Sequence, residues 1–358
     1  MKITNVKAIY PRWQNLPPRP GETAQTGVWQ SHFWQIVVRV DSDTGATGFG
    51  YGGGGIPGTI IVNEHLRELL IGRHVESIDD IREIWDMLYF KSIPYGRKGI
   101  PVMALSGIDL ALWDLLGKQN NKPVYDLLGG IQKPNVRAYA STRDFERDCE
   151  AGFTAMKFSH RWTGQESDYD ATIELANRAR DIFGANALIM TDCYMSWDSK
   201  VTLEMARLLS EYNLYWFEDV LTPDNLDQMA SLKPNIKPVL LAGGEHEFTH
   251  HGFGALAKAG SLDVWQPDIT WCGGITAGLR ILEIAHRFGV SVVPHRGGEI
   301  WALHLIVASE CENLAETHPD RWQTPIDNLW TDEPYPVGGY IAPSDRPGFG
   351  VTLNESML

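Results

Sequence analysis

Ala187-Leu-Ile-Met-Thr-Asp192, Tyr215-Trp-Phe-Glu218, Pro238-Val-Leu-Leu-Ala-Gly-Gly-Glu245, Leu262-Asp-Val-Trp-Gln-Pro-Asp268 and Val290-Ser-Val-Val-Pro-His295 are five short apolar runs, each stopping at an acid or a histidine. Their last residues lie 26, 27, 23 and 27 positions apart, and Glu316 follows 21 further on. A closed barrel of eight strand–helix units in about 250 residues needs roughly 31 residues per unit, with its chemistry where the strands end. The runs therefore read as consecutive strands of an α/β barrel that aim acids and a histidine at one mouth. Upstream, Val136 to Ser141 reads as the first barrel strand and Ala155 to Ser159 as the second, which carries Lys157 near its end.

The rest of the chain is organised around that barrel. Trp34, Ile36, Val38 and Val40 alternate with Gln35 and Arg39, the period-2 pattern of a half-buried strand. Asp41-Ser-Asp-Thr-Gly45 supplies a turn, and Ala46 to Tyr51 runs back as the hairpin partner. Gly52 to Gly55 is a four-glycine run, either mobile or unusually close to something. Val102, Leu105, Ile108, Leu112 and Leu115 recur at helical spacing, with Asp109 and Asp114 off that stripe. We place a boundary near Gly130. The stretch from Asp332 to Leu358, rich in Pro and Gly, is expected to pack back on the N-terminal part.

At 358 residues, 43% hydrophobic and 21% charged, the chain has the length of two domains and the composition of a globular protein. Its net charge of −14 argues against nucleic acid, whose phosphates need a basic face. Cys149, Cys193, Cys272 and Cys311 show no C-x-x-C spacing, so a disulfide framework or zinc knuckle is not expected. The N-terminal residues lack an apolar signal core, and no stretch reads as a membrane helix of about 20 residues. The expectation is a cytosolic (cytoplasmic) protein with no membrane partner.

Asp192, Glu218 and Glu245 would end three adjacent strands. Singly, each reads equally well as a solvated surface acid. Together they repel unless protons or a cation sit among them, and all-oxygen ligation suits a hard ion such as Mg²⁺. Asp268 and His295 are one unit apart: a carboxylate accepting from one ring nitrogen fixes the tautomer and raises the basicity of the other, as a general base requires. His160, His250, His251 and His304 end no such run; His246 stands beside Glu245. Lys157 and Glu316, on flanking strands, are candidates for stabilising developing charge, or else form a salt bridge between strands.

These residues resemble the enolase superfamily, in its mandelate racemase-like branch, over essentially the whole chain. Ala104-Leu-Ser-Gly-Ile-Asp-Leu-Ala-Leu-Trp-Asp-Leu-Leu-Gly-Lys118 resembles the family's capping-domain helix, and Pro347-Gly-Phe-Gly-Val-Thr-Leu353 its closing segment. Asp192-Cys-Tyr-Met-Ser-Trp-Asp198, Gly244-Glu-His246, Gln266-Pro-Asp-Ile-Thr-Trp-Cys-Gly-Gly274 and Val293-Pro-His295 are similar to motifs of the L-rhamnonate dehydratases within it.

The resemblance implies an α+β capping domain (1–130), a modified (β/α)7β TIM-like barrel (131–325) and a C-terminal segment (326–358) that packs back on the cap. It implies one Mg²⁺ per subunit on Asp192, Glu218 and Glu245, a base dyad of His295 and Asp268, and catalytic helpers in Lys157 and Glu316. It further implies a homo-oligomer, from dimer to octamer, and a lid formed in part by Arg19 to Ser31. Trp29, His32 and His246 are then candidate substrate contacts. The implied activity is that of a carbon–oxygen lyase: removal of the C2 proton and the C3 hydroxyl of a sugar acid, giving a 2-keto-3-deoxy acid. Racemases of the branch carry Lys-x-Lys on the second strand; here the stretch is Lys157-Phe-Ser159. That disfavours a two-base 1,1-proton transfer and leaves a one-base reaction through His295; a racemase, epimerase or cycloisomerase of a carboxylate substrate is the alternative within the fold. A metal-dependent hydrolase and a catalytically inactive binding protein are the readings outside it.

Overall fold

The computed structural model describes residues 1–11, 35–320 and 329–358. Trp29, His32, Trp34 and the loop from Arg19 to Ser31 lie outside them.

Near the N-terminus, β1 (Ile3–Ile9), β2 (Ile36–Ser42) and β3 (Thr47–Gly52) form an antiparallel sheet in that order. Gly45, at φ +85°, turns β2 into β3. The sequence pattern predicts a half-buried β2, but Val37 and Val38, on opposite faces, are both fully buried. Both faces are covered: Gly107 of a long helix lies against Val38, and on the other face Tyr51, paired with Val37, is packed under Trp301 and Trp330.

Helices α1 (Gly55–Ile61) and α2 (Arg67–Leu70) lead into α3 (Ile78–Ser92), which starts at a capping box: Ser77 and Asp80 satisfy each other's backbone N–H groups. Next come α4 (Ile100–Gln119) and α5 (Val124–Leu127). The α4 helix lies directly on β3, where glycines alternate. A Cβ at Gly52 would stand 2.6 Å from the Met103 carbonyl oxygen, so the helix approaches this closely only because Cβ atoms are missing there. By length and composition α4 is apolar enough to cross a membrane, which corrects the sequence expectation that no stretch is. It is buried along nearly its whole length inside the protein, so it is a core helix.

Eight parallel strands follow: β4 (Val136–Ser141), β5 (Ala155–Ser159), β6 (Leu188–Asp192), β7 (Trp216–Glu218), β8 (Leu240–Gly243), β9 (Val264–Trp265), β10 (Ser291–Val292) and β11 (Leu314–Thr317). Between them run α6 (Phe145–Glu150), α7 (Ser167–Phe183), α8 (Ser199–Leu208), α9 (Leu226–Leu232), α10 (Thr249–Ala259), α11 (Gly274–Phe288) and α12 (Ile300–Val307). The strand order β11-β4-β5-β6-β7-β8-β9-β10, with seven helices between eight strands, is a (β/α)7β barrel. Its ends are joined where the Glu312 N–H donates to the Val292 carbonyl at 2.9 Å.

After the barrel, β12 (Trp330–Thr331) pairs with β14 (Thr352–Leu353), while β13 (Tyr340–Ile341) adds antiparallel to β4. The tail touches both parts of the protein. Trp330 meets Tyr51 and Phe49 edge-on, and Asp114 of α4 accepts the N–H groups of Phe49 and Phe349. Asp114 thus lies off the apolar stripe yet is buried, tying sheet, helix and tail together.

Asp109, the other acid off the stripe, ties α4 to the barrel. Its Oδ2 accepts the Thr276 N–H at 3.1 Å at the start of α11. Trp113 Nε1 donates to Thr276 Oγ1, Trp85 Nε1 donates to the Gly273 carbonyl, and the Gly273 N–H donates to Ser106 Oγ. The other oxygen, Oδ1, is buried with no hydrogen-bond partner among the described residues. Burial raises the Asp109 carboxyl to about 7.

Folding therefore takes up a proton at this residue between pH about 4 and 7, and the stability it brings is lost as pH rises through 7. Relative to Asp109→Asn, the wild type should lose up to about 1.4 kcal/mol per pH unit between pH 5 and 7. Urea unfolding of both proteins across pH 5–8 checks this. Parallel pH profiles would show that the carboxyl is not raised.

Candidate active site

Along a strand, alternate side chains face the barrel interior. The inward layer is apolar: Tyr139, Ala155, Met190, Trp216, Ala242, Val264, Val293 and Leu314 pack as one buried cluster. Two positions further towards the mouth, seven of these eight strand paths carry a polar or charged residue: Ser141, Lys157, Asp192, Glu218, Gln266, His295 and Glu316. The barrel's own period thus sets a titratable layer on an apolar floor.

The strand ladders stop earlier than the sequence runs suggest. Glu245 stands two residues beyond β8, while Asp268 and His295 stand three beyond β9 and β10. Gly244, at φ +116°, Pro267 and Pro294 end regular pairing there, leaving these three side chains on loops at the rim.

Lys157 is the central cation. Its Nζ pairs with Glu316 Oε1 at 2.7 Å and with Glu218, all three side chains being almost wholly buried. Burial opposes its charge, but Glu218 and Glu316 outweigh that and hold the ammonium protonated well above the usual lysine range. Burial likewise opposes ionisation of Glu316, yet Lys157 and His295 bring its carboxyl below the usual range. Lys157 and Glu316 are therefore a salt bridge between β5 and β11, and Glu316 is ionised. Glu218 also accepts from Trp216 Nε1 at 3.0 Å and Gln266 Nε2 at 2.7 Å.

Asp192 accepts the Tyr194 N–H at 2.9 Å. Burial and then the Glu218 carboxylate push it well above the usual range. Asp219 responds the same way to burial and to Glu245 and Asp192. At Glu245, burial is outweighed by His295 and His246, and the carboxyl falls to about 2. The Nε2 atoms of His246 and His295 lie 3.1 and 3.2 Å from its two oxygens.

The dyad is formed. His295 Nδ1 lies 2.8 Å from Asp268 Oδ2 and donates to it, because a carboxylate only accepts. Asp268 also accepts from the Thr270 N–H and hydroxyl, both at 2.7 Å, and from Arg296 Nε at 3.1 Å. Burial is outweighed by Arg296 and His295, so the Asp268 carboxyl lies below the usual range. Burial disfavours the charged His295, but Glu245 and Asp268 raise it to about 10.

Lys157, Asp192, Glu218, Glu245, His246, Asp268, His295 and Glu316 are thus all brought to one mouth. Sequence reading missed Asp219, Gln266, Trp271 and Arg296. Asp219, Glu245 and His246 each offer a ligand atom within 4.8 Å of the others. Asp219 was visible only as an acid next to Glu218; its left-handed backbone, φ +47°, accompanies its place in the mouth. On β5, the position where a second lysine would stand holds Ser159, which hydrogen-bonds the Tyr194 side chain.

This mouth suits a hard cation. Asp192 and Glu218 are buried and Asp219 and Glu245 partly so, and burial with neighbouring carboxylates raises the carboxyls of Asp192, Glu218 and Asp219. Lys157, already shared with Glu316, is too little positive charge to balance them. The oxygen-rich donor set is that of Mg²⁺.

Residues 4–129 match the family model of the mandelate racemase / muconate lactonizing enzyme N-terminal domain, and residues 141–357 match that of the enolase C-terminal domain-like fold. An L-rhamnonate dehydratase of Saccharopolyspora erythraea is 36% identical over 330 residues, 90% of this chain and 84% of that protein. The crystal structure of rhamnonate dehydratase from Gibberella zeae complexed with Mg superposes with a TM-score of 0.89 at 29% identity, covering 99% of this chain and 95% of that one. A racemase from Streptomyces coelicolor with bound magnesium gives 0.84 at 26% identity, covering 99% and 98%. The chain belongs to the enolase superfamily, in the mandelate racemase / muconate lactonizing enzyme family.

Proposed function

We propose that this protein is a Mg²⁺-dependent hydro-lyase of a sugar acid, L-rhamnonate or a close relative, releasing water to give a 2-keto-3-deoxy acid. The observation that carries this is one complete histidine–aspartate base beside a cluster of carboxylates, with Ser159 where a second, opposing base would stand. The rhamnonate dehydratases among its relatives support the substrate class.

Asp192, Glu218 and Glu245 would hold the ion; Asp219 and His246 each offer a further ligand atom within 4.8 Å of one on Glu245. When bound, it supplies a Lewis acid for the substrate carboxylate. His295 Nε2 takes the C2 proton, while Asp268 holds Nδ1 and so keeps the ring oriented. An ion held by Glu245 would share the charge that otherwise favours a proton on His295 Nε2, leaving that nitrogen free to accept. Lys157 faces the negative charge that builds as the C2–H bond breaks. The protonated His295 then gives its proton to the departing C3 hydroxyl; water leaves, and the enol tautomerises to the ketone.

The N-terminal sheet and helices (1–130) act as the cap of the barrel (131–325), with 326–358 packed back on them. The four cysteines, all unpaired, support a cytosolic location. A homo-oligomer of two to eight copies belongs to the same proposal, on the family resemblance.

A panel of four- to six-carbon aldonic and aldaric acids, incubated with Mg²⁺ and a carbonyl-trapping reagent, should give 2-keto product from one or a few members. Conversion of none, or epimerisation without a ketone, would reject the proposal.

A further inference from the structure

We propose that Trp271 is a positioning residue for both histidines of the mouth, holding the ring of His295 at the angle from which it takes the proton. This rests on the reading of His295 as the base.

Trp271 follows Asp268 by three residues, and its backbone N–H donates to the Asp268 carbonyl at 2.9 Å, so the residue belongs to the turn that carries the dyad acid. Its indole meets side chains from the ends of two other strands. The His246 ring lies nearly parallel to it, with centroids 6.0 Å apart and 22° between planes. The His295 ring is 5.7 Å away at 50°, and the Arg296 guanidinium carbon sits 5.4 Å from the ring centroid.

The remaining edge is held from the N-terminal part of the chain. A Cβ built on Gly53 would stand 3.2 Å from the indole Cδ1, so the glycine run Gly52 to Gly55 is there for close approach, one of the two readings its sequence allowed. Asp268 at Nδ1 and Glu245, 3.2 Å from Nε2, hold the His295 ring by its two nitrogens and leave it a freedom to tilt about the line between them. The indole, packed against the ring, removes it.

The test compares Trp271→Phe, which keeps an aromatic face, with Trp271→Leu, which does not. The Phe variant should keep kcat within about threefold of wild type. The Leu variant should lose about tenfold in kcat, with KM and Mg²⁺ affinity moved less than about threefold. A side chain that merely lined the substrate pocket would raise KM and leave kcat in place.

A second readout needs no turnover. In Mg²⁺-loaded protein with ¹³C-labelled histidine, the ring signals of His246 and His295, assigned with His246→Gln and His295→Asn, should shift in the Leu variant and stay near wild type in the Phe variant. If the Leu variant does not fold, Trp271→Met takes its place with the same readouts. Unmoved histidine signals, or a rise in KM alone, would overturn the proposal. If the wild type converts no sugar acid, the dehydratase reading fails, while the histidine signals still decide the role of Trp271.

Discussion

Replacing His295 with Asn should lower kcat/KM for dehydration by about 10²–10⁴-fold while leaving Mg²⁺ binding in place. The side chain that accepts the C2 proton is also the one that returns it to the leaving hydroxyl, so both halves of the reaction lose their proton carrier together. Asn retains a donor towards Asp268, which already has Thr270 and Arg296, so that carboxylate is not stranded. Loss of the ring also removes the cation that lies 3.2 Å from Glu245, which leaves the acid cluster more negative and, if anything, tightens the ion. Steady-state kinetics together with Mg²⁺ titration check both halves. Residual turnover within tenfold of wild type would remove His295 from its role as sole base.

Glu218→Gln should have an effect of similar size on activity and a larger one on stability. Glu218 is a buried anion surrounded by donors: Lys157, Trp216 Nε1 and Gln266 Nε2 all point at its two oxygens. A glutamine of the same shape turns an NH₂ group towards at least one of them, placing donor against donor, and leaves Lys157 with Glu316 alone. Breaking a buried ion pair from one side costs about 3–5 kcal/mol. The loss of negative charge also weakens the grip on Mg²⁺, so kcat/KM should fall by about 10²–10⁴-fold. Urea unfolding and Mg²⁺-dependent thermal stabilisation are the measurements. An unchanged midpoint with full Mg²⁺ stabilisation would show that Glu218 is neither the keystone of the Lys157 pair nor a ligand.

Much of the site was legible in the sequence because a barrel repeats. Inward positions recur every second residue along a strand and every supersecondary unit along the chain, so Asp192, Glu218, Glu245, Asp268, His295 and Glu316 stand out by spacing alone. What spacing could not reveal depends on backbone turns and on contacts between distant segments. Asp219 and Arg296 both have left-handed backbones, which non-glycine residues seldom adopt and sequence patterns do not announce. Trp271 reads as one more apolar residue until His246 and Arg296 are seen against its ring. The burial of α4 on all sides, and of β2 on both faces, follows from packing against other elements, whereas the sequence records only the stripe or alternation of one. The partnership of Lys157 with Glu316 is similar: the sequence places both at strand ends, but the closure of the barrel makes β11 and β5 flank β4 and brings the two charges into contact.

One reaction in D₂O tests the dehydration most directly. Incubated with Mg²⁺ and the sugar acid it converts, the protein should yield a 2-keto-3-deoxy acid that carries a single solvent deuterium at C3, where the enol collapses, after losing its C2 proton to His295. Recovery of substrate epimerised and deuterated at C2, with no ketone formed, would contradict it and make the site one for proton exchange instead.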